Sequence, residues 1–263
     1  MHLTDTRRQS RIEEADWERF GSRDPYFSVL TEEQYHTASL NGNARDEFFA
    51  SGRRHIDDVL ATVRTHFLAA DFKITRALDF GCGVGRLLVA LSPVCQSVTG
   101  VDVSDSMLRE AKLNCENFGA KNVHLLKSLS GVQGNFDLVH SVIVIQHIPR
   151  SAGEDIMRQL IELLREGGIG VIHLPYDCGR TLARKLAYWA VTHLSVARYL
   201  RNVIRRNAYD EPYMQMNEYD LNRVFKLLHA NGCDHSYVRH CYSSAVGLTI
   251  FFQKKALGDC APY

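Results

Sequence analysis

Between residues 45 and 175, short apolar runs of strand character alternate with stretches whose apolar side chains recur at helical spacing, a pattern that reads as an α/β chain. Residues 45–68 open the series as a helix. Phe48, Phe49, Ile56, Val59 and Val63 share its apolar spacing, and an interruption is expected at Ser51-Gly52. Apolar runs at 77–80, 98–101, 123–127, from Phe136 to a carboxyl end holding Gln146, His147 and Pro149, and 169–174 predict five strands. Between them lie a helix starting near Leu87, one capped by Ser104 and ended by Gly119, and one over 152–165. A turn at Glu166-Gly167-Gly168 leads into the fifth strand, and a helix over 220–230 precedes two more apolar segments, 236–242 and 246–253.

Two regions break this rhythm. Residues 1–14 are charged, lack periodicity and are expected to fray. From Trp17 onward, Phe20, Tyr26, Phe27 and Tyr35 crowd around the breaker pair Asp24-Pro25, which leaves plain packing and a lid over a site as equal readings. Residues 177–217 form the second region. From Arg180 to Arg206 seven Lys or Arg and no acid interleave with Leu186, Trp189, Tyr199, Leu200 and Ile204, predicting a basic amphipathic helical insertion. It serves as a cap over a substrate cleft or as a weak contact with an anionic membrane or lipid-linked substrate. The segment Tyr209 to Asn217 behind it offers aromatic, thioether and amide walls for a pocket.

Composition narrows the class. With 263 residues, 45% of them apolar and 23% charged, the chain suits one globular core with embellishments, and a net charge of +1 gives no global pull toward nucleic acid. Seven scattered cysteines without a C-x-x-C pair suggest neither a disulfide framework nor a zinc knuckle, which fits a reducing compartment. The polar start lacks an apolar signal core and no stretch reaches membrane-spanning length, so a cytoplasmic location is expected. Cys233, His235, His240 and Cys241 match no ligand spacing, so no metal is expected.

The chemistry concentrates at residues 76–86. A strand carrying Asp79 turns through Gly81, Gly83 and Gly85 into a helix, a geometry in which bare backbone can approach a ligand. The third glycine comes one position too early for the dinucleotide fingerprint, which disfavours a nicotinamide-dependent oxidoreductase. A second strand ends in Asp102, placed to accept from both hydroxyls of a ribose, so a nucleoside cofactor is expected.

Asp79-x-Gly81-x-Gly83-x-Gly85, then Asp102 with Ser104 and Met107, then FDLVHSVIVIQHIP and LREGGIGVIHLP, resembles the class I S-adenosylmethionine-dependent methyltransferases over roughly residues 50–175. The resemblance implies a doubly wound, mostly parallel seven-stranded sheet of Rossmann-like type. Residues 1–50 would be a lid, 51–263 the methyltransferase domain, and 236–253 the closing antiparallel hairpin. It implies S-adenosyl-L-methionine as cofactor, held by Asp79, Gly81, Cys82, Gly83, Gly85, Asp102 and Val103, with Met107 against the adenine and Gln146 near the methyl group. Arg53 or Arg54, after the expected break, would reach the methionine carboxylate, or else belong to a solvated helix face. Where many relatives place an acid after the third strand, this chain has Ser128-Leu129-Ser130, which leaves the adenine to backbone groups or serine hydroxyls there.

Methyl transfer from a sulfonium needs mainly alignment, and a base only where the acceptor must lose a proton. His147, at the end of the fourth strand, is the first candidate for that base; His173, Tyr176, Tyr26, Tyr35 and Tyr213 are lesser ones. The fourth strand ends in Gln-His-Ile-Pro, without the Asn/Asp-Pro-Pro-aromatic tetrad or the Pro-Cys dipeptide of DNA-methylating enzymes, so nucleic acid is not the expected acceptor. A small organic acceptor methylated on oxygen or nitrogen is expected, a sugar, natural product or lipid-like molecule. The alternative is a catalytically silent cofactor-binding regulatory or scaffold protein.

Overall fold

The expected strands meet edge to edge in a single sheet. In the computed structural model, which describes residues 14–67, 72–206, 208, 210–242 and 245–255, β1 (Ile74–Phe80), β2 (Cys95–Val101), β3 (Val123–Leu126), β4 (Phe136–Ser141) and β5 (Leu164–Asp177) run parallel. β6 (His235–Tyr242) and β7 (Val246–Gln253) complete the order β3-β2-β1-β4-β5-β7-β6, with β7 antiparallel to both neighbours. This is the doubly wound seven-stranded sheet that the resemblance implies. Strand order reverses between β1 and β4, and in open sheets the crevice outside the carboxyl ends at such a point is where ligands bind. Residues 1–13, Leu68 and Tyr209, which figured in the sequence reading, lie outside the described residues.

Each face of the sheet carries its own core. One packs α3 (Gly42–His66), α4 (Arg86–Leu91) and α5 (Asp105–Asn117) through Phe49, Ile56, Val63, Leu88 and Cys115; the other packs α6 (Arg150–Leu163) and α9 (Leu221–Ala230) through Met157, Leu160, Val224 and Leu228. The local signals account for the ends of these helices. The Asn41 side chain caps α3 by accepting from the Ala44 amide, Ser104 caps α5 through the Met107 amide, and Asp220 caps α9 through the Asn222 amide. Two further helices, α1 (residues 14–23) and α2 (Pro25–Val29), precede this body, and α7 (Leu182–His193) with α8 (Ser195–Ile204) follows β5.

Three expectations need correction. The α3 helix runs without a break through Ser51-Gly52, because Gly52 serves packing: a Cβ there would fall 2.7 Å from the Arg86 carbonyl oxygen, so its absence lets α3 and α4 touch. The fifth strand begins five residues earlier, at Leu164, and Glu166-Gly167-Gly168 is a bulge inside it. Leu164 pairs with Phe136 and Ile169 with Leu138, and Gly167 takes φ 74° to absorb the extra residues. The fourth strand leaves the sheet after Ser141 instead of carrying Gln146, His147 and Pro149 at its end. The insertion is helical as expected, as two helices divided at Leu194, whose backbone is extended.

Candidate active site

The turn after β1 and the tip of β2 are joined by hydrogen bonds. The amides of Gly81 and Cys82 both donate to the Val101 carbonyl, at 2.7 and 3.0 Å. The Gly83 amide donates to Asp102 Oδ2 at 2.8 Å and the Ser104 amide to Oδ1 at 3.0 Å, so one carboxylate braces the glycine turn and the start of α5 together. Gly81, Gly83 and Gly85 have φ of 75°, 51° and 83°, values that L side chains rarely adopt. Burial pushes the Asp102 carboxyl up to about 6, against the two amide hydrogen bonds that lower it. Cys82 sits in the same turn, where burial holds its thiol well above its ordinary range, so it fills space and is no nucleophile.

A cavity of about 300 Å³ opens over this turn. Asp79, Gly81, Cys82, Gly83, Asp102, Val103, Met107 and His147, all sequence candidates, line it. Gly85 serves packing instead, since a Cβ there would meet Ala111 of α5 at 3.3 Å. Gln146 stands behind His147, and Ser128 and Leu129 form no part of the lining. Arg53 and Arg54 also point elsewhere: Arg53 faces a groove near Phe118, and Arg54 pairs with Glu47. Among the lesser base candidates, Tyr26 and Tyr35 are core residues and Tyr213 lies under Arg201, so none of these tyrosines lines the cavity.

The basic group in the wall is Arg86. It is 7% exposed, donates to Ser51 Oγ at 3.2 Å, and leaves its Nε without a hydrogen-bond partner. Burial lowers its pKa and Asp79 opposes the shift. Asp79 is itself oriented from behind: His140 Nδ1 lies 2.9 Å from its Oδ1, and His140 Nε2 lies 2.9 Å from His55 Nε2 of α3. Burial drives His55 down to about 2, so that ring is neutral. The wall therefore offers a carboxylate for two hydroxyls, bare backbone, a flat apolar strip at Met107 and Val103, and Asp79 beside a buried guanidinium. That donor set fits a nucleoside bearing an amino-acid ammonium and carboxylate.

The segment after β4 forms the opposite wall. Ile143 adopts φ 63°, a strained value for a β-branched residue, and the Val144 side chain lies over the turn: a Cβ on Gly81 would fall 2.3 Å from its Cγ2. The loop is held from behind. Tyr219 O–H lies within hydrogen-bond distance of the Ile145 and Ile148 carbonyls, at 3.0 and 2.8 Å, and the Asn217 amide donates to the Gln146 carbonyl at 2.6 Å. Replacing Ile143 by Gly is expected to release the strain, raising stability by about 1 kcal/mol or less after the added chain entropy, read as a higher Tm.

His147 is 5% exposed and its ring is fixed on three sides. Nδ1 lies 2.6 Å from the Gln215 carbonyl and so carries the proton, Nε2 lies 3.2 Å from the Gln146 amide nitrogen, and the Trp17 ring packs on it at 5.1 Å. Burial lowers it to about 4, with the Gln215 hydrogen bond opposing and His173 adding to the shift. The ring is neutral near pH 7.

Trp17 belongs to α1, which lies over the cavity mouth. Glu18 accepts from Ser104 Oγ at 2.8 Å and from the Ser106 amide at 3.1 Å, which seats α1 on the first turn of α5. Asp16, 4% exposed, pairs with Arg198 of α8 at 2.8 Å. Below, Val29 of α2 reaches the glycine turn, 2.7 Å from where a Gly83 Cβ would stand. Tyr26 O–H lies 2.7 Å from Glu110 and 3.0 Å from Asn114 Oδ1, and Asn114 Nδ2 donates to the Val84 carbonyl at 2.8 Å. Asn114 thus ties α2, α5 and the turn into one unit. It gives no sequence signal beyond being a polar residue on a helical face.

The family model described as "Methyltransferase domain" matches residues 77–168, and on sequence and sheet order this segment belongs to the class I S-adenosylmethionine-dependent methyltransferase domains. The particular relatives are more distant. The ubiquinone biosynthesis O-methyltransferase of Xanthomonas campestris pv. campestris is 30% identical over 115 residues, 41% of this chain and 47% of that protein. That of Methylococcus capsulatus is 26% identical over 154 residues, 56% of this chain and 61% of that protein. The match to the first of these spans about half of its length. Among solved structures, magnesium protoporphyrin IX methyltransferase from Synechocystis PCC 6803 with bound SAM superposes with a TM-score of 0.59 at 14% identity, covering 92% of this chain and 97% of that one, a likeness of fold.

Proposed function

We propose that this protein transfers a methyl group from S-adenosylmethionine to an oxygen or nitrogen of a small, largely apolar organic acceptor. The observation that carries this reading is the hydrogen bond from Gly83 to Asp102, which sets a bare-backbone turn and a ribose-binding carboxylate at two adjacent strand tips over one cavity. The activities of these relatives, O-methyl transfer in ubiquinone biosynthesis and methylation of magnesium protoporphyrin, weigh toward oxygen and toward small acceptors. In this reading residues 1–50 act as lid, 51–263 as the methyltransferase domain, and 177–217 as a cap that also meets a lipid-linked acceptor. No helix among the described residues is long and apolar enough to cross a membrane.

Asp102 would accept from the ribose hydroxyls, Met107 and Val103 would flank the adenine, and Asp79 and Arg86 would meet the ammonium and carboxylate. The bound cofactor supplies a methyl carbon already activated as a sulfonium. The residues of the chain contribute alignment and a dry wall: Trp17, Val144, Ile148 and Ile156 leave little room for water beside the acceptor. His147 fits a base. Its protonated Nδ1 is anchored on Gln215, and its Nε2 lone pair, which the Gln146 amide nitrogen faces at 3.2 Å, would take a proton from the acceptor once that donor is displaced.

Calorimetry with S-adenosylmethionine, followed by mass-spectrometric screening of phenols, carboxylic acids and amines, tests this reading. Absence of cofactor binding rejects it, and binding without turnover on any acceptor favours the silent-binder alternative. For an acceptor that must lose a proton, His147→Ala is expected to lower kcat about a hundredfold at saturating cofactor with the cofactor Kd unchanged. Because His147 stays neutral down to about pH 4, the wild-type kcat should hold its plateau well below pH 6.5. An unchanged kcat in the variant would remove the base role.

A further inference from the structure

The paired helices α7 and α8 carry a surface that methyl transfer leaves unused. Nine of the fifteen large apolar side chains left exposed among the described residues lie between Leu182 and Ile204, so the exposure is concentrated there. On α7, Leu182, Leu186 and Trp189 recur at helical spacing; on α8, Val196, Leu200 and Val203 do the same, and Ile204 beside them is 79% exposed. The inward sides are already occupied. Tyr188 O–H donates to Asn217 Oδ1 at 3.0 Å, Thr192 and Asn202 are buried, and Arg201 lies over the Tyr213 ring at 4.7 Å. The outward stripes are therefore a second face of helices that already have their body contacts.

Charge identifies the occupant. No acid occurs from Arg180 to Arg206. Three of the seven basic residues are spent internally: Arg180 on Glu218 and Tyr188, Arg198 on Asp16, and Arg201 on Tyr213. The other four, Arg184, Lys185, Arg205 and Arg206, are exposed and meet no acid among the described residues. A second copy docked face to face would set these same cations against one another without acids to answer them. Apolar stripes flanked by unpaired cations match a surface with acyl chains beneath anionic phosphates. We infer that α7 and α8 dock on an anionic lipid surface, lying in its headgroup boundary with the four cations at the phosphates. This deepens the lipid contact within the proposed function, yet it is measurable without cofactor or acceptor, so the two readings fail independently.

The chain's two tryptophans make the test direct, since Trp17→Phe leaves Trp189, 53% exposed on α7, as sole reporter. The full chain is mixed with vesicles of phosphatidylcholine alone or of phosphatidylcholine and phosphatidylglycerol in equal parts, and flotation and Trp189 emission are followed. The expected result is binding with a blue-shifted emission on the anionic vesicles and little on the neutral ones. Replacing Arg205 and Arg206 by Ser is expected to weaken partition about thirtyfold, the worth of two basic groups at such a surface. Ile204→Glu is expected to remove the blue shift with thermal melting unchanged. No binding, equal binding to both vesicles, or partition indifferent to these variants would overturn the proposal. So would light scattering that shows a dimer which Ile204→Glu dissociates.

Discussion

Asp102→Ala is expected to weaken S-adenosylmethionine binding by two to three orders of magnitude, the largest loss we anticipate from any single side chain. Two effects add. The variant removes a charged acceptor placed for two ribose hydroxyls, each such hydrogen bond being worth about 1.5–3 kcal/mol. It also frees the Gly83 and Ser104 amides, which share this carboxylate as anchor, so the turn loses its set geometry. Isothermal calorimetry measures the loss. Asp102→Asn keeps one acceptor oxygen and should fall between the alanine variant and wild type. Full affinity in the alanine variant would remove Asp102 from the cofactor site.

The same carboxylate predicts a pH dependence. Its folded-state pKa is raised from the ordinary carboxylate value to about 6, so the stability linked to its protonated form is present at low pH and is lost as pH rises through about 6. A ribose needs the ionised form as acceptor. Cofactor affinity is therefore expected to weaken as pH falls below about 6 in the wild type, and Asp102→Ala should lose that dependence.

Gly81→Val is expected to be the most destabilising substitution in the turn. A side chain at φ 75° costs about 1–3 kcal/mol by itself. A Cβ there would stand 2.3 Å from Val144 Cγ2, and the loop carrying Val144 is pinned by Tyr219 and already strained at Ile143, so it has little freedom to yield. The sum is roughly 3–5 kcal/mol, to be read by urea denaturation. Gly119→Val is the control: Gly119 has φ 69° but nothing within 4 Å of a Cβ, so it isolates the backbone cost. Equal losses in the two variants would show that the Val144 contact is unimportant.

What could be read from the sequence was whatever depends on neighbours along the chain. The existence of the strands, the Ser104 cap and the Gly81-Gly83-Gly85 turn rest on local devices, and the structure contains each of them. Features that depend on a distant partner were misread or missed. Ser51-Gly52 looks like a break until Arg86 is seen 2.7 Å away. Arg53 and Arg54 read either as anion ligands or as a solvated helix face, and both are exposed on α3, whereas the cation in the wall is Arg86, which in sequence is only the first residue of a short helix. His140 was invisible as a support for Asp79, since a histidine inside an apolar strand shows nothing of its ring contacts. Gly167-Gly168 reads as a turn because glycine pairs usually are one; only the partner strand reveals a bulge.

The pair between Asp16 and Arg198 joins α1, which lies over the cavity mouth, to α8 of the outer helices. Burial raises the Asp16 pKa and the Arg198 guanidinium opposes the shift, so the two charges are held as a pair. In the proposed function, exit of the spent cofactor would either release both charges into water or move α1 and α8 as one piece.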